Sequence, residues 1–208
     1  MFISCHACAE GGPGTVRTKA HIRASLIRRR RAIPPEEARL KSLAAAEHAL
    51  CLPELADAGA VHLYLPMAGS GEMDTRLLAE RLASAGIRLM APRIDGDGLL
   101  SAPYSPGMET VASRFGNPEP PAPEGPVDES LIGAVVVPLV AVDRRGYRLG
   151  YGKGFYDRFF RRLGDSALTP CRIGFGFDLQ LLDRLPVDVW DEPLDFFVSE
   201  EGSLRLNH

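Results

Sequence analysis

Three features of the chain predict a three-layer α/β fold, in which an open, mainly parallel sheet carries helices on both faces and is preceded by two N-terminal helices. The first is an alternation of strand-like and helix-like segments between Val61 and Ile94. The second is the run from Ala134 to Val142, which is apolar at consecutive positions, as a strand covered on both faces must be. The third is a glycine-rich turn between that run and a helix, the place where ligands bind in open α/β sheets.

Residues 1–16, rich in glycine, are expected to form a disordered leader, so that one α/β domain would occupy residues 17–208. Arg17 to Arg31 has helical spacing, with Ile22, Leu26 and Ile27 on its apolar stripe, and it stops before Pro34 and Pro35. Pro35 to Leu50 is a second helix; Leu40, Leu43 and Leu50 would face inward, and Glu36 and Glu37 lie in the first turn, where the helix dipole favours them. A βαβ unit follows, with a strand from Val61 to Leu65, a helix from Asp74 to Ala85 stopped by Gly86, and a strand from Arg88 to Ile94. Asp95 to Gly98 reads as a turn, Leu99 to Tyr104 as a short strand and Asn117 to Pro126 as an extended, proline-rich stretch. Beyond the buried run, Tyr151 to Leu163 reads as a helix, and Arg172 to Phe177 and Leu194 to Ser199 as the last strands. The whole is Rossmann-like in outline.

Composition narrows the function classes. The chain has 208 residues, 45% hydrophobic and 25% charged, which is the balance of a soluble globular protein. No apolar stretch approaches the roughly 18 to 20 residues of a membrane-spanning helix, so no membrane partner is expected. Net charge is −3, but seven basic residues against Glu10 give the first 31 residues +6 and leave −9 for the rest. A nucleic-acid binder would carry its positive charge more widely, so a small anion is the expected partner. Cys5 and Cys8 flank His6 at a metal-like spacing, but no second close pair completes a zinc site. With no secretory signal legible, reduced thiols in a cytoplasmic protein are expected.

The chemistry concentrates in residues 143–157. Gly150, Gly152 and Gly154 alternate with Tyr151, Lys153 and Phe155, leaving a backbone whose N–H groups can approach phosphate oxygens closely. The following helix adds the positive end of its dipole. The segment matches neither the Walker A pattern nor the dinucleotide fingerprint. Arg144, Arg145, Arg148, Lys153 and Arg158 crowd the same turn, and that many cations would repel one another without an anion between them. Asp157 follows the glycines and suits magnesium, which prefers one or two carboxylates plus phosphate oxygens and water. Asp191 is a second candidate, although sequence distance does not bring it to Asp157.

The run from Arg145 to Arg158 resembles the signature of the 5-formyltetrahydrofolate cyclo-ligase family, also called methenyltetrahydrofolate synthetases. Lys19 to Arg23, Gly71 to Thr75, Pro92 with Arg93, Asn117 to Pro120, and Asp191 with Leu194 and Asp195 match in order, so the resemblance spans residues 17 to about 200. It implies closure of 5-formyltetrahydrofolate to 5,10-methenyltetrahydrofolate, driven by ATP with Mg2+ and releasing ADP and phosphate through a phosphorylated formyl group. It implies ATP contacts from Lys19, Arg23, Arg148, Leu149, Gly150, Tyr151, Gly152, Lys153, Gly154, Phe155 and Tyr156, with Lys153 and Arg148 catalytic. Folate contacts would fall on Leu65, Glu72, Tyr151 and Phe155, and magnesium on Asp157 and Asp191. Its partners would be a reduced folate and ATP, with no nucleic acid and no membrane, for a cytoplasmic monomer. The sequence departs from the family pattern at Leu139 to Val142, in a lengthened loop at Ala68 to Gly71, and at Trp190. Two other readings remain open at this point: a relative of the family that uses ATP on another substrate, and a nucleic-acid-binding protein that uses the basic first helix.

Overall fold

The computed structural model describes residues 18–207. The expected leader and the Cys5/Cys8 pair lie outside the described residues. Helix α1 (Lys19–Arg31) opens on Thr18, whose hydroxyl accepts from the His21 N–H at 3.2 Å, and α2 (Pro35–Leu50) opens on a proline whose missing N–H costs a first turn nothing. Both expected N-terminal helices are present. The buried face of α2 is not the expected leucine row, for Leu40 is 52% exposed while Ser42, Ala45, Ala46 and Ala49 are buried. Small side chains let this helix lie close against its neighbours, and the leucines fall beside that seam.

A short α3 (Pro53–Ala56) leads into β1 (Ala60–Leu63), α4 (Arg76–Ser84), β2 (Arg88–Asp95) and β3 (Gly98–Tyr104). Strands β4 (Val111–Ala112) and β5 (Pro118–Glu119) form a small hairpin, where the sequence suggested only an extended stretch. The run read as one strand from Ala134 to Val142 is divided. Strand β6 (Ile132–Val137) ends before Pro138, which has no N–H for a ladder, and β7 (Ala141–Asp143) belongs to another sheet. There β7 lies between β8 (Arg148–Leu149) and β10 (Leu181–Leu182). Helix α5 (Phe155–Asp165) starts four residues later than expected, leaving Tyr151 to Gly154 as loop. After it come β9 (Cys171–Phe175), β11 (Phe196–Ser199) and β12 (Gly202–Arg205), the last not anticipated.

The main sheet runs β12-β11-β9-β6-β1-β2-β3. Its five inner strands are parallel, and β12 and β3 pair antiparallel at the edges. One face buries Ala45, Ala46 and Ala49 of α2 and Leu78 and Leu82 of α4 against Val61, Val136 and Ile173. On the other, Phe159, Phe160 and Leu163 of α5 pack on Val135, Val137 and Phe197. This is the expected three-layer α/β arrangement. Helix α1 is applied differently, setting Ile22 and Leu26 on Val140, Ala141 and Leu149 of the small sheet. That docking carries Lys19 and Arg23 to the glycine turn.

Candidate active site

The glycine turn is held from below by Asp143, which is wholly buried and accepts from the N–H groups of Arg145, Tyr147 and Leu185 at 3.0, 3.2 and 2.9 Å. The Arg145 guanidinium closes on the same carboxylate at 2.7 Å and also bonds the Leu185 carbonyl. Gly146, at φ +89°, makes this hairpin possible, since a Cβ there would lie 2.6 Å from the Leu194 carbonyl oxygen. Arg145 is therefore an anchor, and Arg144 points to Asp183 at 3.8 Å. Of the five cations thought to need an anion, Arg148, Lys153 and Arg158 line the cleft and Arg144 and Arg145 do not.

Beyond β8 the chain passes through Gly150 to Gly154 into α5. Gly152 and Gly154 have φ of +91° and +66°, and a Cβ at Gly154 would meet the Arg158 guanidinium at 2.9 Å. Gly154 caps α5, so the N–H groups of Phe155, Tyr156 and Asp157 have no carbonyl partner within the helix and face the loop with the positive end of its dipole. Arg23 reaches across from α1, donating through Nε to the Gly150 carbonyl at 2.8 Å, with its guanidinium over Gly152. Lys153 makes no salt bridge among the described residues, and its ammonium lies 5.1 Å from the Phe115 ring centre.

A cleft of about 750 Å³ runs along this turn, and every residue that the family resemblance assigned to ATP, folate or magnesium lines it. Two carboxylates separated by 34 positions in sequence, Asp157 and Asp191, come to the same wall. Asp157 accepts from Arg148 at 2.9 Å and from the Glu192 N–H at 3.3 Å. Arg148 is buried, which pulls its pKa below the usual arginine range while Asp157 and Asp191 oppose the effect. Asp191 accepts from Lys19 at 2.6 Å, and Lys19 also reaches Asp188 at 2.7 Å. Burial works against the Lys19 ammonium, but its two aspartates more than offset it, so its pKa is raised. Both carboxylates are thus engaged by cations, and among the described residues no group of three or more His, Cys, Asp or Glu side chains could hold a metal, so a magnesium ion here would displace an ion pair and take most of its shell from phosphate and water.

At the other end Leu65 lies just past β1 rather than on it, and lines the cleft as Glu72 does. The lengthened loop folds back on Glu72: the Met67 N–H and the Ser70 hydroxyl both donate to its Oε2 at 3.0 Å. The Tyr151 hydroxyl donates to Oε1 at 2.9 Å, joining the glycine turn to the opposite wall. Burial, helped by Glu72, pushes the Tyr151 phenol up to about 12. Behind them stands Arg30, 2% exposed, which donates to the Leu139 and Ser70 carbonyls at 3.1 and 3.0 Å and to the Tyr151 hydroxyl. Sequence reasoning passed over Arg30. Its signal was present, because Ile22, Leu26 and Arg30 are spaced i, i+4, i+8, so a charge occupies the next position of an apolar stripe.

A family model described as the 5-formyltetrahydrofolate cyclo-ligase family matches residues 15–200. The chain is 35% identical over 175 residues to the 5-formyltetrahydrofolate cyclo-ligase of Escherichia coli K12, covering 82% of this chain and 94% of that protein. It is 35% identical over 184 residues to the enzyme of the same name from Mycolicibacterium smegmatis, covering 84% and 90%. The NMR structure of 5,10-methenyltetrahydrofolate synthetase from Aquifex aeolicus superposes with a TM-score of 0.76 at 32% identity, over 91% of this chain and 93% of that one. The signature turn, the order of the supporting motifs and the fold thus agree with relatives matched along nearly their whole length, and the chain belongs to the 5-formyltetrahydrofolate cyclo-ligase family.

Proposed function

We propose that the protein closes 5-formyltetrahydrofolate to 5,10-methenyltetrahydrofolate with ATP and Mg2+, releasing ADP and phosphate. The observation that carries this reading is the single cleft that gathers an anion-binding glycine turn, cations from α1, two carboxylates and Glu72. The formyl carbon on N5 is amide-like, and N10 cannot expel its oxygen as hydroxide. The formyl oxygen therefore takes the γ-phosphoryl group while ADP departs; N10 then attacks the formyl carbon, loses its proton and expels phosphate. No protein nucleophile is required, and the residues act by positioning and charge.

Each end of the cleft has its part. Gly150 to Gly154 and the start of α5 would hold phosphate oxygens, with Lys153 on the transferring group and Arg148 behind it. Lys19 and Arg23 would reach the remaining phosphates, Arg23 bracing the loop through the Gly150 carbonyl. Asp157 and Asp191 would hold magnesium, which neutralises charge on the phosphates. Glu72 would accept from the pterin N–H donors, with Leu65, Tyr151 and Phe155 about the ring. The basic first helix spends Lys19, Arg23 and Arg30 on this cleft, which weakens the nucleic-acid reading. Cys51 and Cys171 are free thiols, and no helix among the described residues is long and apolar enough to cross a membrane.

The test is incubation with 5-formyltetrahydrofolate, ATP and magnesium, following the absorbance of the methenyl product. Product should form in the complete mixture and fail when any one component is omitted. Closure without ATP would overturn the reading, and ATP turnover without closure would point to another substrate.

A further inference from the structure

The two ends of the cleft differ in kind. Glu72, Leu65, Phe115 and Phe155 gather at one end, where Phe115 and Phe155 are in ring contact at 5.8 Å. The glycine turn with Arg23 occupies the middle. At the other end Lys19 meets Asp188 and Asp191, and between those aspartates stands Trp190, the chain's one tryptophan. Among the remaining cleft aromatics, Tyr151 is engaged with Glu72, Tyr64 donates to the Met73 carbonyl, and Tyr156 packs on Phe159 and Phe160.

Trp190 is 58% exposed and joins none of the buried apolar clusters among the described residues. Its backbone is nonetheless fixed. The Asp191 N–H donates to the Asp188 carbonyl at 3.1 Å, the Asp188 N–H donates to the Asp191 carboxylate at 2.8 Å, and Lys19 ties both side chains. A lone exposed indole needs no explanation on an open surface. Here it lies on the cleft wall, on a closed turn, next to a carboxylate assigned to magnesium.

ATP imposes a direction. Its γ-phosphate must face the formyl oxygen, so the α-phosphate, ribose and base extend away from the folate end, toward Lys19, Asp191 and Trp190. We propose that Trp190 is the platform on which the adenine of ATP stacks, so that base recognition rests on an aromatic face added to a phosphate site that reads charge. The proposal rests on the ATP reading above.

The single indole makes the test direct. ATP with magnesium should quench the intrinsic tryptophan fluorescence of the full-length protein, whereas magnesium tripolyphosphate, which has no base, should bind without that quench. Trp190→Ala should raise the Kd for ATP roughly 5- to 150-fold, the range expected for one base–aromatic stack. It should leave the Kd for tripolyphosphate unmoved, and Trp190→Phe should restore most of the loss. If calorimetry shows ATP binding to the wild type while the indole does not respond, or if Trp190→Ala leaves ATP affinity unchanged, the platform is overturned and the ATP reading stands. If Trp190→Ala weakens ATP and tripolyphosphate equally, the residue acts through its turn and the platform is again overturned. If ATP does not bind the wild type at all, both readings fall together.

Discussion

Lys153 and Glu72 mark the two halves of the proposed reaction, and their substitutions should separate them. Lys153→Ala removes a cation of the turn that, like Arg158, has no carboxylate partner among the described residues and that alone bonds no carbonyl there, so ring closure should fall roughly 100- to 1,000-fold in kcat with the fold intact. Near-normal kcat at saturating ATP would remove Lys153 from the chemistry. Glu72→Gln should raise KM for the folate about 30- to 150-fold, the loss of one charge-assisted hydrogen bond of roughly 2 to 3 kcal/mol, and leave KM for ATP nearly constant. A parallel rise in both constants would instead assign Glu72 to holding Tyr151 and the glycine turn. Arg30→Met keeps the length of the side chain but leaves the Ser70 carbonyl without its Arg30 donor and the Leu139 carbonyl with Gln180 alone, at a stability cost of about 1 to 3 kcal/mol by denaturant titration. Residues with a local chemical pattern, such as the glycines and Lys153, were legible in the sequence. Arg30 left a signal, as a charge on an apolar stripe, but Asp188 and Trp190 were not legible, since their setting depends on which distant groups the fold places beside them.

Local pattern located most elements and misjudged where one gives way to the next. The parallel strands and α4 fall within a few residues of their expected places, because hydrophobic period and glycine stops act over short range. The buried run was misread as one strand because its apolar residues continue through Pro138 into a second sheet, and apolarity does not distinguish two cores. Helix α2 shows a similar limit, since alanines rather than leucines face its neighbours. The hairpin below the glycine turn makes the sharpest prediction at this scale. Gly146→Ala combines a left-handed backbone with a clash against the Leu194 carbonyl, so unfolding should shift to lower denaturant by at least about 1 to 2 kcal/mol, with activity lost in parallel. An alanine variant of unchanged stability would contradict the close approach of that hairpin to the segment bearing Asp191.

Across the whole molecule, acid should act through a buried histidine that faces the start of α5, its ring 6.4 Å from that of Tyr156. His62 is fully buried on β1; its Nδ1 pairs with the Ser101 hydroxyl at 3.0 Å, its ring lies against Phe159, and its Nε2 has no partner among the described residues. Burial lowers its pKa to about 3, with Glu129 opposing and Arg162 assisting. The unfolded chain therefore binds a proton that the folded chain refuses between its ordinary value near 6.5 and about 3, so stability falls as pH drops through that window, by up to about 1.4 kcal/mol per unit. His62→Phe should flatten that part of the stability profile, and an unchanged acid limb would assign it to the paired carboxylates instead.

The central claim is that the formyl oxygen leaves as part of phosphate. Ring closure of 5-formyltetrahydrofolate labelled with 18O in its formyl group, in unlabelled water with ATP and magnesium, tests it by mass spectrometry of the inorganic phosphate. One labelled oxygen per phosphate, matching the methenyl product formed, is the predicted result; unlabelled phosphate with the label recovered in water would contradict it.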